Sequence, residues 1–154
     1  MFSEREILEI AIRMEKNGEN EYQKAAAEVS EQTLVDALEW MATEEREHAG
    51  FFSGLLDELD TGQGSAFGQE MDSAFLKDLI GGSSLSLKTV DFKQVGSLAE
   101  LLTIFIGFEE DSILFYEMIT PMIEDDETRA RIERIVAEEK GHIKRLKELV
   151  QPCK

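Results

Sequence analysis

Hydrophobic residues return along this chain in steps of three and four, the period of a helix that turns one face inward. Over residues 3 to 29 the inward positions are Leu8, Ala11, Glu15, Gly18, Tyr22, Ala25 and Val29, and Ser3-x-x-Glu6 supplies a capping box at the start. Ser30 is placed to cap a second helix, whose stripe runs Leu34, Leu38, Met41, Glu45, His48, Phe52, Leu55 and Leu59. A third, from about 98 to 120, follows Ser97-x-x-Glu100 and turns inward Leu98, Leu102, Phe105, Glu109, Ser112, Tyr116 and Ile119, with Ile123 beyond. A fourth, from about 126 to 150, carries Ile132, Ile135, Glu139, His142, Leu146 and Leu149 on its inner face. Its last turns hold Lys144, Arg145 and Lys147, which suit the negative end of a helix, and Pro152 stops it. Four helices and no sheet are expected, and in every stripe the polar members sit near the middle.

The second half repeats the first. Ser3 and Ser97, Glu6 and Glu100, Glu15 and Glu109, Tyr22 and Tyr116, Glu45 and Glu139, and His48 and His142 all stand 94 residues apart. The chain therefore reads as two antiparallel helical hairpins, 3–59 and 97–150, within one domain spanning 1–154. Residues equidistant from a hairpin turn face each other. For Glu15 to face Glu45 the turn must centre on residue 30, where Val29-Ser30-Glu31 stands; for Glu109 to face Glu139 it must centre on 124, where Pro121 and Glu124-Asp125-Asp126 mark a break and a fresh start. Fifteen residues at about 1.5 Å each place the polar layer roughly 22 Å from either turn, well inside a bundle. Between the hairpins, 60–96 holds the turn formers Thr61-Gly62-Gln63-Gly64 and Gly81-Gly82-Ser83-Ser84 around a short helix from about 67 to 80. A crossover of that length lets the second and third helices run parallel, as one-crossover bundles require. It is also long enough for hairpins to exchange between the two chains of a homodimer.

Composition narrows the function. A chain of 154 residues buries about two-thirds of its unfolded surface and needs no metal or disulfide merely to hold together. Its one cysteine, Cys153, permits neither an intrachain disulfide nor a cysteine-based zinc or rubredoxin-type iron site, and fits a reducing, intracellular setting. The start of the chain is charged and has no apolar signal core, and the longest apolar run, Leu101 to Phe108, is too short to span a bilayer. A cytoplasmic protein is expected. A net charge of −17 repels phosphate backbones and anionic lipid heads, which argues against nucleic-acid or membrane partners. Most of the 33 Asp and Glu residues read as solvated surface; the exceptions are those that interrupt an apolar stripe.

Those exceptions are Glu15, Glu45, Glu109 and Glu139. A carboxylate at a core position is costly unless it is neutralised or paired, so four that face one another call for positive charge among them. With two neutral imidazoles they balance two divalent cations, and oxygen-plus-imidazole donors suit iron or manganese, while zinc accepts the same donor types. Residues three apart share a helix face, so Glu45 with His48 and Glu139 with His142 reach inward as pairs, while Glu15 and Glu109 enter from the other two helices. Tyr22 and Tyr116 fall two turns after their glutamates on the same face, placed to hydrogen-bond a metal-bound carboxylate of a neighbouring helix. The only two histidines and the only two tyrosines of the chain all belong to this repeat. The competing reading is a polar core that pairs with itself, with the tyrosines as ordinary core aromatics. Glu44 and Glu138 also repeat but precede the inward glutamates, which suggests solvated or helix-pairing positions. Gly18 and Ser112 are equivalent small residues one turn past Glu15 and Glu109; they suit either space for water, dioxygen or peroxide or close helix packing. Trp40 reads as core.

Glu-x6-Tyr on the first and third helices and Glu-x-x-His on the second and fourth, in that order and across both hairpins, resemble the rubrerythrin branch of the ferritin-like superfamily. The resemblance implies an all-α, ferritin-like four-helix bundle in which Glu15, Glu45, His48, Glu109, Glu139 and His142 bind two iron ions. It implies an oxidoreductase whose Fe(II) pair reacts with hydrogen peroxide or dioxygen, as peroxide reductase or ferroxidase, with no catalytic side chains beyond the metal ligands. Two departures from the family pattern matter. Rubrerythrins proper add a rubredoxin domain with four cysteines, so here electrons would come from a separate donor protein such as a rubredoxin. Peroxidase members also carry a further carboxylate on the third helix, where this chain has Ser112. Both departures favour the alternative of an iron-binding or iron-handling protein without turnover.

Overall fold

A computed structural model describes residues 4–62 and 96–150. They form α1 (Glu4–Glu28), α2 (Gln32–Asp60), α3 (Leu98–Ile119) and α4 (Asp126–Val150), with a 3-10 turn at Thr120–Met122. No strand occurs among the described residues. The expected crossover and its short helix at 67–80 lie, apart from the ends of the segment, outside the described residues, as does the Ser3 cap.

Capping explains where the helices begin. Glu31, not Ser30, caps α2: its carboxylate accepts the amides of Thr33 and Leu34, the latter at 2.9 Å. A carboxylate adds charge to the bond it makes with the positive helix end, which favours it over a neighbouring hydroxyl. At α3 the Ser97 half of the expected capping box forms, its hydroxyl accepting the Glu100 amide, while Glu100 reaches one residue further back and accepts the Gly96 amide at 2.8 Å. Asp125 opens α4 by accepting both the amide and the hydroxyl of Thr128. Pro121 sits in the 3-10 turn, where the missing amide costs no helical bond. Gly62, just past α2, has φ of 74°, the left-handed conformation that glycine adopts without strain.

Contacts across the bundle fix the helix directions. Tyr22 pairs with Glu109 and Tyr116 with Glu15, so seven residues forward along α1 match seven backward along α3. His48 pairs with Glu139 and His142 with Glu45, so α2 and α4 are likewise antiparallel. With α1 and α2 joined by a tight turn and antiparallel in their turn, α2 and α3 run parallel. The architecture is a ferritin-like four-helix bundle.

Its interior has three layers. At one end Ile7, Leu8, Met14, Phe52, Phe115, Ile119, Ile132 and Ile135 pack together; at the other, Ala25, Leu34, Leu38, Met41, Leu101, Leu102, Phe105 and Leu146 do so. The polar side chains lie between these two apolar plugs. Most inward positions named from periodicity are buried, Ile123 included although it follows the helix, while Val29, Leu55, Leu59 and Leu149 toward the helix ends are half-buried. Two residues depart from expectation. Leu98, in the first turn of α3, is exposed, and Trp40 is 47% exposed, on a flank of α2. Among the described residues no helix is long and apolar enough to cross a membrane.

The Asp125 cap yields a prediction. Hydrogen bonds from the Thr128 side chain and backbone hold its carboxyl below the ordinary carboxylate range. Its contribution to stability is therefore full above that ordinary range and vanishes as pH falls through the lowered value. Asp125→Ala should lower the Tm at neutral pH, and thermal melts of variant and parent should converge on acidification; a gap that persists in acid would contradict the cap.

Candidate metal centre

Each of the four helices delivers its polar residues to the middle layer because Glu15, Glu45, Glu109 and Glu139 stand at stripe positions otherwise filled by apolar residues. All four, with His48 and His142, are 3% exposed or less. Two overlapping groups result. Glu15, Glu45, His48 and Glu139 bring one ligand atom each within 4.8 Å of the others, and Glu45, Glu109, Glu139 and His142 do the same. The glutamates of both Glu-x-x-His motifs are thus common to the two groups, a sharing that pairing by helix face did not anticipate.

The imidazoles present Nδ1 to the interior. His48 Nδ1 lies 3.1 Å from Glu139 and 3.4 Å from Glu15, and His142 Nδ1 lies 3.2 Å from Glu109 and 3.3 Å from Glu45. The two rings stack 6.4 Å apart. On the outer side, His48 Nε2 is 3.2 Å from Glu138 and His142 Nε2 is 3.4 Å from Glu44. Glu44 and Glu138 are therefore not simply solvated or helix-pairing residues; their recurrence in both halves was the signal that they belong to the site. Trp40, read as core, instead sets its ring edge-on to His142 at 5.2 Å while facing solvent.

Both tyrosines cross between hairpins. Tyr22 donates to Glu109 at 2.6 Å and Tyr116 to Glu15 at 2.5 Å. Tyr22 lies against Phe105, and Tyr116 stacks on Phe52, so each phenol is fixed by an aromatic neighbour. Burial, and then the facing Glu109 or Glu15, pushes both hydroxyls well up, which keeps them protonated donors. Gly18 settles the question left open by its size: an added Cβ would stand 3.2 Å from Glu45 Oε2, so the glycine makes room for that carboxylate. Ser112 is buried and donates its hydroxyl back to the Phe108 carbonyl.

The cluster leaves acceptors over. One oxygen of each of Glu15, Glu45, Glu109 and Glu139 is buried without a hydrogen-bond partner. A buried unpaired carboxylate oxygen is costly, and four converging with two imidazole nitrogens form a donor set that suits two divalent ions of the iron, manganese or zinc type. Burial and then the charges of Glu109 and Glu15 push the Glu45 carboxyl well up. Burial also opposes ionisation of Glu15, but hydrogen bonds from Glu45, His48 and Tyr116 outweigh it and bring that carboxyl down. Burial disfavours charge on His48 and His142, yet Glu15 and Glu109 respectively raise both imidazoles above their ordinary value.

Comparison with known proteins agrees with this geometry. The sequence model of the rubrerythrin family matches residues 6–150. A crystal structure of a protein from Thermotoga maritima, described as a ferritin-like diiron-carboxylate protein, superposes with a TM-score of 0.70 at 23% identity, covering 97% of this chain and 95% of that one. No curated protein matches.

Two outcomes are expected. Tyr116→Phe removes the donor to a buried Glu15 oxygen and should destabilise the fold by about 1–3 kcal/mol in chemical denaturation; an unchanged midpoint would show that the bond contributes nothing. Divalent ions should displace the protons held by Glu45 and the imidazoles, so affinity for Co(II) rises with pH through those raised values and then levels off. Calorimetry in buffers of different ionisation enthalpy measures the release directly, and zero protons released near neutral pH would contradict the assignment.

Proposed function

The chain belongs to the rubrerythrin family, and from that premise and the buried cluster we propose that it is a non-haem di-iron oxidoreductase reacting with hydrogen peroxide or dioxygen. The observation that carries the reading is the pair of overlapping four-residue groups sharing Glu45 and Glu139. Glu45 and Glu139 belong to both groups and would help hold either ion, with Glu15 and His48 holding one and Glu109 and His142 the other. Bound iron would supply the redox chemistry, one electron from each Fe(II) to the oxygen substrate. The side chains hold, orient and seal. Tyr22 and Tyr116 each occupy one oxygen of a carboxylate and leave the other directed inward. Phe52 and Phe105, behind the phenols, keep water out of the layer from both ends. Electrons to restore the reduced pair would come from a separate donor protein such as a rubredoxin, in a cytoplasmic setting that suits a chain with a single cysteine.

One observation favours a second reading, an iron-binding or iron-handling role without turnover. Ser112 occupies the position one turn past Glu109, and its hydroxyl is turned to its own helix. Stopped-flow mixing of the Fe(II)-loaded protein with hydrogen peroxide separates the two. Oxidation faster than that of free Fe(II), with two irons per chain by elemental analysis, is expected; oxidation no faster than in free solution, with iron still bound, selects the handling role.

A further inference from the structure

An ion bound for the buried layer has no evident way in along the bundle axis. All six cluster residues are 3% exposed or less, and apolar side chains close both ends. On the flank, however, Glu44 and Glu138 touch both solvent and the cluster, with side chains 16% and 28% exposed and carboxylates 3.4 and 3.2 Å from the outer nitrogens of His142 and His48. Glu44, His48 and Glu138 offer three ligand atoms within 4.8 Å of one another. A second observation points to a ligand at this place. His142 is fully buried, and its Nε2, directed at Glu44, has no hydrogen-bond partner, nor does the Glu44 oxygen it faces.

We propose that Glu44, Glu138 and the outer nitrogen of His48 form an entry site for divalent cations, which lodge there before moving to the buried layer. The inference rests on the metal reading of that layer and adds its port. His48 belongs to both places: Nε2 faces Glu138, while Nδ1 lies 3.1 Å from Glu139 and 3.4 Å from Glu15. An ion that leaves the carboxylate pair therefore meets inner ligands around the same imidazole, without crossing apolar surface. The net charge of −17 draws cations toward the protein, and the two flank carboxylates focus that field at the histidines. The Arg131 guanidinium, 3.5 Å from Glu138, opposes them.

The test uses Co(II) as the probe and the intrinsic fluorescence of Trp40, the only tryptophan, whose ring lies 5.2 Å from His142. Stopped-flow quenching follows uptake, release into excess chelator follows loss, and elemental analysis gives the equivalents bound. In the E44Q/E138Q variant both uptake and release should slow, uptake by about tenfold or more, the scale of electrostatic focusing at a charged cleft, while the equivalents bound stay as in the parent. E110Q/E133Q, the same charge change at exposed positions, should leave both rates near the parent's. Arg131→Ala should speed uptake, a gain that misfolding cannot mimic. Parental uptake rates in E44Q/E138Q would overturn the port. So would faster release with weaker binding, the roughly 10–100-fold loss expected if these carboxylates only orient the imidazoles. Failure of the parent protein to take up any Co(II) would instead remove the metal reading itself.

Discussion

Everything in this bundle depends on keeping four carboxylates and two imidazoles inside an apolar interior. Moving even one such charge out of water costs several kcal/mol after relaxation, and repulsion among four adds to that. The structure contains this cost by confining it to one layer. The plugs above and below, built on Phe52, Phe115 and the Ile7–Ile135 group at one end and on Leu38, Met41 and Phe105 at the other, are continuous enough to form a core of their own. Each fully buried aliphatic or aromatic side chain there contributes about 1.5–3 kcal/mol. The helices are long because the charged layer must lie far from both turns.

Duplication makes the layer self-consistent. Because the second hairpin repeats the first, each half provides the partner the other lacks. Tyr22 serves Glu109 while Tyr116 serves Glu15, and each imidazole lies against glutamates of both hairpins. Neither hairpin alone gives its tyrosine this partner, so the polar layer specifies how the hairpins pair as well as what they can bind. The symmetry breaks where the halves meet different neighbours. Gly18 accommodates Glu45 where its counterpart Ser112 bonds its own helix, and Arg131 steadies Glu138 while among the described residues no Lys or Arg pairs with Glu44.

Much of this could be read from the chain. Periodicity located four helices, and the 94-residue repeat identified the six cluster residues and both tyrosines, because spacing on a helix fixes which side chains share a face. The hairpin turns followed from the same arithmetic. What escaped the sequence depended on contacts between helices. Glu44 and Glu138 sit beside the stripe, and periodicity alone assigns such flank positions to solvent; only the crossing of α2 and α4 brings them to the outer nitrogens of the histidines. Trp40 misled for the converse reason. Its apolar bulk suggested core, but its place on α2 has an imidazole edge on one side and solvent on the other. The choice between Ser30 and Glu31 as cap was decided by local electrostatics that a list of preferred capping residues does not rank.

The separation of plugs from polar layer also bears on how the protein can use metal. In small metal-nucleated folds the ion supplies the core, and binding and folding are one event. Here the two apolar plugs are built from side chains that hold no ion, and burial and neighbouring carboxylates push the Glu45 carboxyl and both imidazoles up. The coupling of ion binding to stability is then the mass-action gain of any ligand preferring the folded state. A site of that kind can release its ions or change their charge without dissolving the bundle. The tyrosines divide the work within each carboxylate: one oxygen of Glu15 and one of Glu109 is fixed by a phenol, while the other is buried without a hydrogen-bond partner.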